Sequence, residues 1–162
     1  KDETERMVGM SVYKSRRKDM AAEFIAAARE LRKVTIRIVK KFPSGYRWTI
    51  TNNMLTLANE VYTNSIKANA IYIHKEMSEH DYELRHRYLM IAISSAEALL
   101  AEITFCYELV DDGNNFFATK ADYTRAFQTW TTAGYNALQK IRGIAASDKK
   151  RWNGFCKKAK EE

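Results

Sequence analysis

The sequence predicts an all-α protein built as an up-down-up-down four-helix bundle. Three observations carry this expectation. The 162 residues contain one proline and six glycines, too few for the many turns of a strand-rich chain. Four long stretches repeat apolar residues at intervals of three and four, the period of a helix. Short polar or Pro/Gly-bearing breakers separate them, as antiparallel neighbours require. A composition of 46% apolar and 29% charged residues is that of a globular chain, and the length suits one domain. Residues 1–18 read as a basic N-terminal extension, 19–147 as the bundle and 148–162 as a loose basic tail.

The first helix is predicted over 19–41. Met20, Phe24, Ala27, Leu31, Val34 and Ile38 share one face, and Arg29, Arg32, Lys33, Arg37 and Lys40 fall opposite. Phe42-Pro43-Ser44-Gly45 stops it, because proline lacks a donor and disfavours a helical residue before it. The second helix is predicted over 46–73, with Trp48, Ile50, Met54, Leu57, Val61, Tyr62, Ala68 and Tyr72 as a broad apolar face. Its other face carries Thr49, Asn52, Asn53, Thr56, Asn59, Thr63 and Asn64, polar but uncharged. Helices in full contact with water normally carry more charge. Asn52, Asn53, Thr56, Asn59, Thr63 and Asn64 are therefore expected at an interface with another subunit; the alternative is a weakly charged exposed face.

The third helix is predicted over 79–110. Ser78 and Asp81 have capping-box spacing, and Leu84, Tyr88, Ile91, Leu99, Ile103 and Cys106 line one face. Asp111-Asp112-Gly113-Asn114-Asn115 breaks it. The fourth is predicted over 120–146, again with capping-box spacing at Thr119 and Asp122. Its stripe runs through Tyr123, Phe127, Trp130, Ala137, Leu138 and Ile141, and the small residues Ala133, Gly134 and Ala137 permit close helix approach.

Charge is localised. Between Lys14 and Arg47 eleven basic residues face three acids, whereas residues 48–148 hold eight basic and twelve acidic residues. The basic set is Lys14, Arg16, Arg17, Lys18, Arg29, Arg32, Lys33, Arg37, Lys40, Lys41 and Arg47; Lys149, Lys150 and Arg151 add a second cluster. Localised positive charge on a chain of net +7 is an electrostatic footprint for a polyanion, and such residues displace counterions from phosphates without reading sequence. A merely solvated face is the alternative. Trp48, Tyr62, Tyr88, Phe127 and Trp130 read as core; Tyr13 and Tyr46, beside basic residues, are the candidates for base stacking.

Catalytic patterns are absent: no glycine-rich phosphate loop, no nucleophile elbow, no CxxC. Glu83-Leu84-Arg85-His86 has the Glu-x-x-His spacing of half a di-iron site, but His74 and His80 supply no second copy, and Arg85 and Arg87 repel a cation. No enzyme activity, metal or cofactor is expected. The three histidines read as surface residues. No apolar run reaches the length of a membrane span, and no signal-peptide pattern occurs. Cys106 and Cys156 read as thiols in a reducing compartment, so a cytoplasmic protein without membrane partners is expected.

Lys40-Lys41-Phe42-Pro43-Ser44-Gly45-Tyr46-Arg47-Trp48 has a distinctive form: a basic helix ending in Phe-Pro, then an Arg four residues on. Downstream lie Tyr62-Thr63-Asn64-Ser65-Ile66-Lys67-Ala68-Asn69 and Glu83-Leu84-Arg85-His86-Arg87-Tyr88. Together with Met10-Ser11-Val12-Tyr13-Lys14-Ser15 and its basic pair, these resemble the four-helix-bundle family of ribosomal-RNA intervening-sequence proteins. That family includes the accessory variability determinants of diversity-generating retroelements. The resemblance covers roughly residues 10–151. Tyr46 stands where many intervening-sequence members carry an acid, so less carries over from that branch. The resemblance implies a homopentameric barrel that binds RNA and DNA and partners a reverse transcriptase in mutagenic cDNA synthesis, without catalytic activity of its own. The alternative from the same family is a protein-binding scaffold of the intervening-sequence type with no nucleic-acid role.

Overall fold

The computed structural model describes residues 2–111, 113 and 119–159, with the side chains of residues 2–19 and 21 outside the described set. The described chain is all-helical. Helix α1 spans Asp2–Val39, α2 Asn52–Ala70, α3 Glu79–Asp111 and α4 Lys120–Lys158. Each helix packs on its sequence neighbours, and α4 closes the bundle against α1. Individual pairs fix the antiparallel sense. Across α1 and α4, Glu23 meets Lys140 and Thr35 meets Trp130. Across α3 and α4, Arg85 meets Asp148 and Leu100 meets Gly134. Across α2 and α3, Glu60 meets Ser95 and Met54 meets Cys106. The expected up-down-up-down arrangement follows from these pairs.

The helix starts obey local chemistry. The Asp81 amide donates to Ser78 Oγ at 3.1 Å, and the Asp122 amide to Thr119 Oγ1 at 3.1 Å, so both expected caps form. Pro43, with φ −57° and ψ 146°, turns the chain after α1. A 3-10 turn at Ser44–Tyr46 and a π turn at Arg47–Thr51 then lead into α2. Gly113, at φ 92°, takes the left-handed conformation that only glycine adopts freely.

The core contains Phe24, Leu31 and Val34 from α1, Met54 and Val61 from α2, Leu89, Leu99 and Ile103 from α3, and Trp130 and Ile141 from α4. Trp130 is fully buried, edge-on to Phe42 at 6.2 Å. Its Nε1–H donates to Thr35 Oγ1 at 2.9 Å, and that hydroxyl donates to the Leu31 carbonyl at 2.8 Å. The buried indole therefore keeps its hydrogen bond, as a polar tip in a core must. Gly134 lies against Leu100: a Cβ there would stand 2.7 Å from a Leu100 methyl, which is the close approach the small residues of α4 foretell.

Several expectations are corrected. The residues assigned to a loose tail continue α4 to Lys158. Asp148 is buried against Arg85, Arg151 donates to the Ile73 carbonyl at 2.8 Å, and Trp152 stacks on Tyr82 at 4.7 Å. Similarly, no break separates residues 1–18 from the bundle, because α1 begins at Asp2; this stretch has no proline and is rich in helix formers. Helix α2 stops at Ala70 rather than near residue 73, as Ile71 turns extended, and this leaves Tyr72 73% exposed. Ile91 and Met20, assigned to inner faces, are exposed. Helix α3 is long and apolar enough by length and composition to cross a membrane, contrary to the expectation of no such run; 44% of its most apolar window is buried in the bundle.

Arg85 fastens one end of the bundle. Its Nε donates to Asp148 Oδ2 at 2.6 Å, and its Nη1 donates to the carbonyls of Ala68 and Ile71 at 2.7 and 2.8 Å. The guanidinium fork thus closes the last turn of α2, where carbonyls lack the i+4 amides that serve the helix interior. Arg85 and Asp148 are 8% and 5% exposed.

Candidate nucleic-acid interface

The basic surface is built by the α1 register. Placing Phe24, Leu31, Val34 and Ile38 in the core turns Arg29, Lys33, Arg37 and Lys40 outward, and all four are exposed. Lys41 and Arg47, in the turn after α1, are exposed as well. Arg32 is half-buried, its guanidinium 5.4 Å above the Tyr62 ring, so part of its role lies in holding α1 on α2. Lys14, Arg16, Arg17, Lys18 and Tyr13 lie outside the described side chains. Lys149 and Lys150 are exposed at the opposite end of the bundle, and Arg151 is engaged with the Ile73 carbonyl. The second basic cluster is therefore far along the bundle from Lys40, Lys41 and Arg47, and one of its members has a structural partner.

Few acids intrude on the α1 surface. Glu23 is held by Lys140 at 2.8 Å, Glu30 is exposed, and from Leu31 to Asn59 the sequence has no Asp or Glu. Where α1 meets the start of α4, a groove of about 710 Å³ is lined by Arg37, Ile38, Lys41, Asp122, Arg125 and Thr129. Its one acid is already engaged. Asp122 accepts from the Thr119 hydroxyl at 2.7 Å and from Arg125 at 2.6 Å. Those hydrogen bonds, with the nearby positive charges of Arg125 and Lys41, hold its carboxyl below the usual carboxylate range. With Arg125 paired to Asp122, the charges of Arg37 and Lys41 leave the groove net positive and receptive to an anion.

Trp48 overturns its assignment to the core: it is 83% exposed, the most exposed large apolar side chain among the described residues. The register explains it. Ile50 and Met54 turn inward, and counting about 100° per residue back from Met54 places residue 48 roughly 120° off the core line. Tyr46, expected as the stacking candidate, packs half-buried against the core instead. The signal available in the sequence is position: Trp48 stands two residues before the buried Ile50, about 200° round a helix, and directly follows Arg47.

The uncharged face of α2 divides. Asn53 and Thr56 are exposed, and Asn52, Asn59 and Thr63 are half-buried. Asn64 is 8% exposed inside the single chain, its Nδ2 donating to the Glu60 carbonyl at 2.9 Å, which removes it from the expected subunit interface. Thr63 likewise donates back to the Asn59 carbonyl at 2.8 Å. Part of the low charge of this face is thus spent on the helix's own carbonyls. An exposed apolar stripe lies on α3 instead: Met90, Ile91, Ala98, Ala101 and Phe105, with Ser94 among them. Sequence periodicity concealed it, since α3 is apolar on nearly all sides.

Of the weighed metal motif, Glu83 is exposed and His86 is half-buried beside Tyr82, its Nδ1 buried without a hydrogen-bond partner. His74 and His80 are exposed. Among the described residues no three His, Cys, Asp or Glu side chains gather in a metal-binding group. No family model, curated protein or solved structure matches the chain.

Proposed function

We propose that this chain is a non-catalytic nucleic-acid-binding bundle that contacts phosphates through the outer face of α1 and the turn after it. The observation that carries the reading is the run of exposed cations Arg29, Lys33, Arg37, Lys40, Lys41 and Arg47, with no acid after Glu30 until Glu60. Phosphate contact by such side chains is sequence-independent and binds RNA and DNA alike. The sequence resemblance supports a specific setting: an accessory protein of a diversity-generating retroelement, working in the cytoplasm beside a reverse transcriptase. In that setting the chain assembles as a homopentamer. The exposed stripe of α3, from Met90 to Phe105, supports self-association better than the polar face of α2 does. A second reading, the protein-binding scaffold, draws on that same stripe and assigns the cations to solvent.

Fluorescence anisotropy of a labelled structured RNA and a matched duplex DNA, titrated across salt, separates the two. Phosphate contact gives a log–log salt slope of about −0.7 to −0.9 per contacted phosphate. Lys33, Arg37 and Lys41 are exposed, so their triple replacement by Glu leaves the fold intact and reduces the slope by about two or more. Unchanged affinity in the triple variant overturns the phosphate-binding reading. Negligible binding by the wild-type protein at low salt leaves the scaffold.

A further inference from the structure

Trp48 requires a role of its own. A large indole left at 83% exposure forgoes burial that every other tryptophan of this chain obtains at least in part: Trp130 is fully buried, and Trp152 is half-buried on Tyr82. A lone exposed aromatic is unremarkable on a protein surface. Three neighbouring features set this one apart. It follows Arg47 directly and stands seven residues after Lys41, at the end of the cationic α1 face. It lies in the acid-free stretch between Glu30 and Glu60. It is also carried on the π turn Arg47–Thr51, in which the Asn52 amide donates to the Arg47 carbonyl and Ile50 is anchored in the core. Turns of this kind recur at functional positions, and the buried Ile50 makes this one a fixed platform.

We propose that Trp48 is a base-stacking platform, and that the nucleic acid bound along α1 is single-stranded where it passes the α1–α2 turn. The inference rests on the phosphate-binding reading above and adds the class of ligand. Cations along the backbone with an exposed ring at one end form the arrangement that grips single strands, because every unpaired base offers a π-face and a duplex offers none along its length. Arg47 beside the ring supplies the adjacent phosphate contact.

The test compares wild type, Trp48→Ala and Trp48→Phe against a labelled oligothymidylate, an oligouridylate and a duplex of equal length at one salt concentration. Loss of one stacked base lowers single-strand affinity by about 5- to 150-fold, which is about 1–3 kcal/mol. The ratio of single-strand to duplex affinity in Trp48→Ala falls by that factor, and Trp48→Phe restores most of it. Single strands also quench the tryptophan emission of wild type, and the quench disappears in Trp48→Phe, which retains Trp130 and Trp152. An unchanged ratio in Trp48→Ala overturns the stacking role while phosphate binding stands. No binding of any oligonucleotide by wild type overturns both. Partition onto phosphatidylserine vesicles with a blue-shifted emission, in place of oligonucleotide binding, also overturns the proposal and assigns Trp48 to a lipid surface.

Discussion

Replacing Arg85 by Ala removes more than a surface charge. Asp148, buried in the intact bundle, is left without its 2.6 Å partner, and the carbonyls of Ala68 and Ile71 lose their shared donor. Breaking a buried pair from one side costs about 3–5 kcal/mol. At about 2–4 °C per kcal/mol for a chain of this size, the thermal midpoint falls by about 6–20 °C. Circular-dichroism melts measure this directly. Hydrogen exchange localises it, because the Ile71 amide, bonded to the Ala68 carbonyl at 3.2 Å, should exchange faster once the end of α2 loosens. Arg85→Lys should recover only part of the loss, since a point-like ammonium cannot reach Asp148 and both carbonyls as the planar fork does. Arg85→Met with Asp148→Leu should recover most of it, leaving only the Ile71 carbonyl without its donor, since the Ala68 carbonyl keeps the Ile71 amide. A midpoint within 3 °C of wild type for Arg85→Ala would refute the reasoning and mean that water enters this end freely.

Thr35→Val keeps the shape of the core but strands the Trp130 Nε1–H, and should destabilise by about 1–3 kcal/mol in urea melts. Gly134→Val drives a branched side chain into Leu100 and should cost more than Gly134→Ala, where helix propensity gives back about 1 kcal/mol against the shift of one methyl; midpoints of the two variants decide it. Burial, with Glu102 nearby, pushes the Cys106 thiol from its ordinary 9.0 up to about 12. The folded chain thus keeps this thiol neutral where the unfolded chain ionises, so stability should fall as pH rises from about 9 towards 12. The buried Tyr123 phenol, also pushed upward, acts in the same direction. Cys106→Ala should show a shallower alkaline decline in its midpoint. Native alkylation at pH 8 should modify Cys156, which is half-buried, and spare Cys106, with mass spectrometry counting one adduct per chain.

Local signals were legible wherever local chemistry decides. The Ser78–Asp81 and Thr119–Asp122 caps, the Pro43 stop and the Gly134 contact all follow from residues within a turn of one another or from helical periodicity. The misreadings share a cause. The apolar stripe of α4 lapses at Asp148-Lys149-Lys150 and reads as a tail; the helix persists because Asp148 finds Arg85, 63 residues away. No single-sequence pattern announces such a pair. Trp48 and Ile50 are alike in apolar character, but helical geometry places them on different sides. On the α1 face the cations were legible, because an amphipathic helix with a known inner stripe has a known outer one. Asn64 was not, since its amide turns back to the Glu60 carbonyl on its own helix.

The closing of α4 on α1 orders events during synthesis. Thr35 waits for Trp130, 95 residues later, and Glu23 for Lys140, 117 residues later. The pairing of α2 with α3, across the short connection from Ile71 to Ser78, needs no such delay. A ribosome that has released only the first three helices therefore presents Thr35 and Phe42 without the Trp130 ring that covers them. Products halted before residue 130 carry that bare seam permanently, and clump or recruit chaperones in proportion to how long translation pauses there.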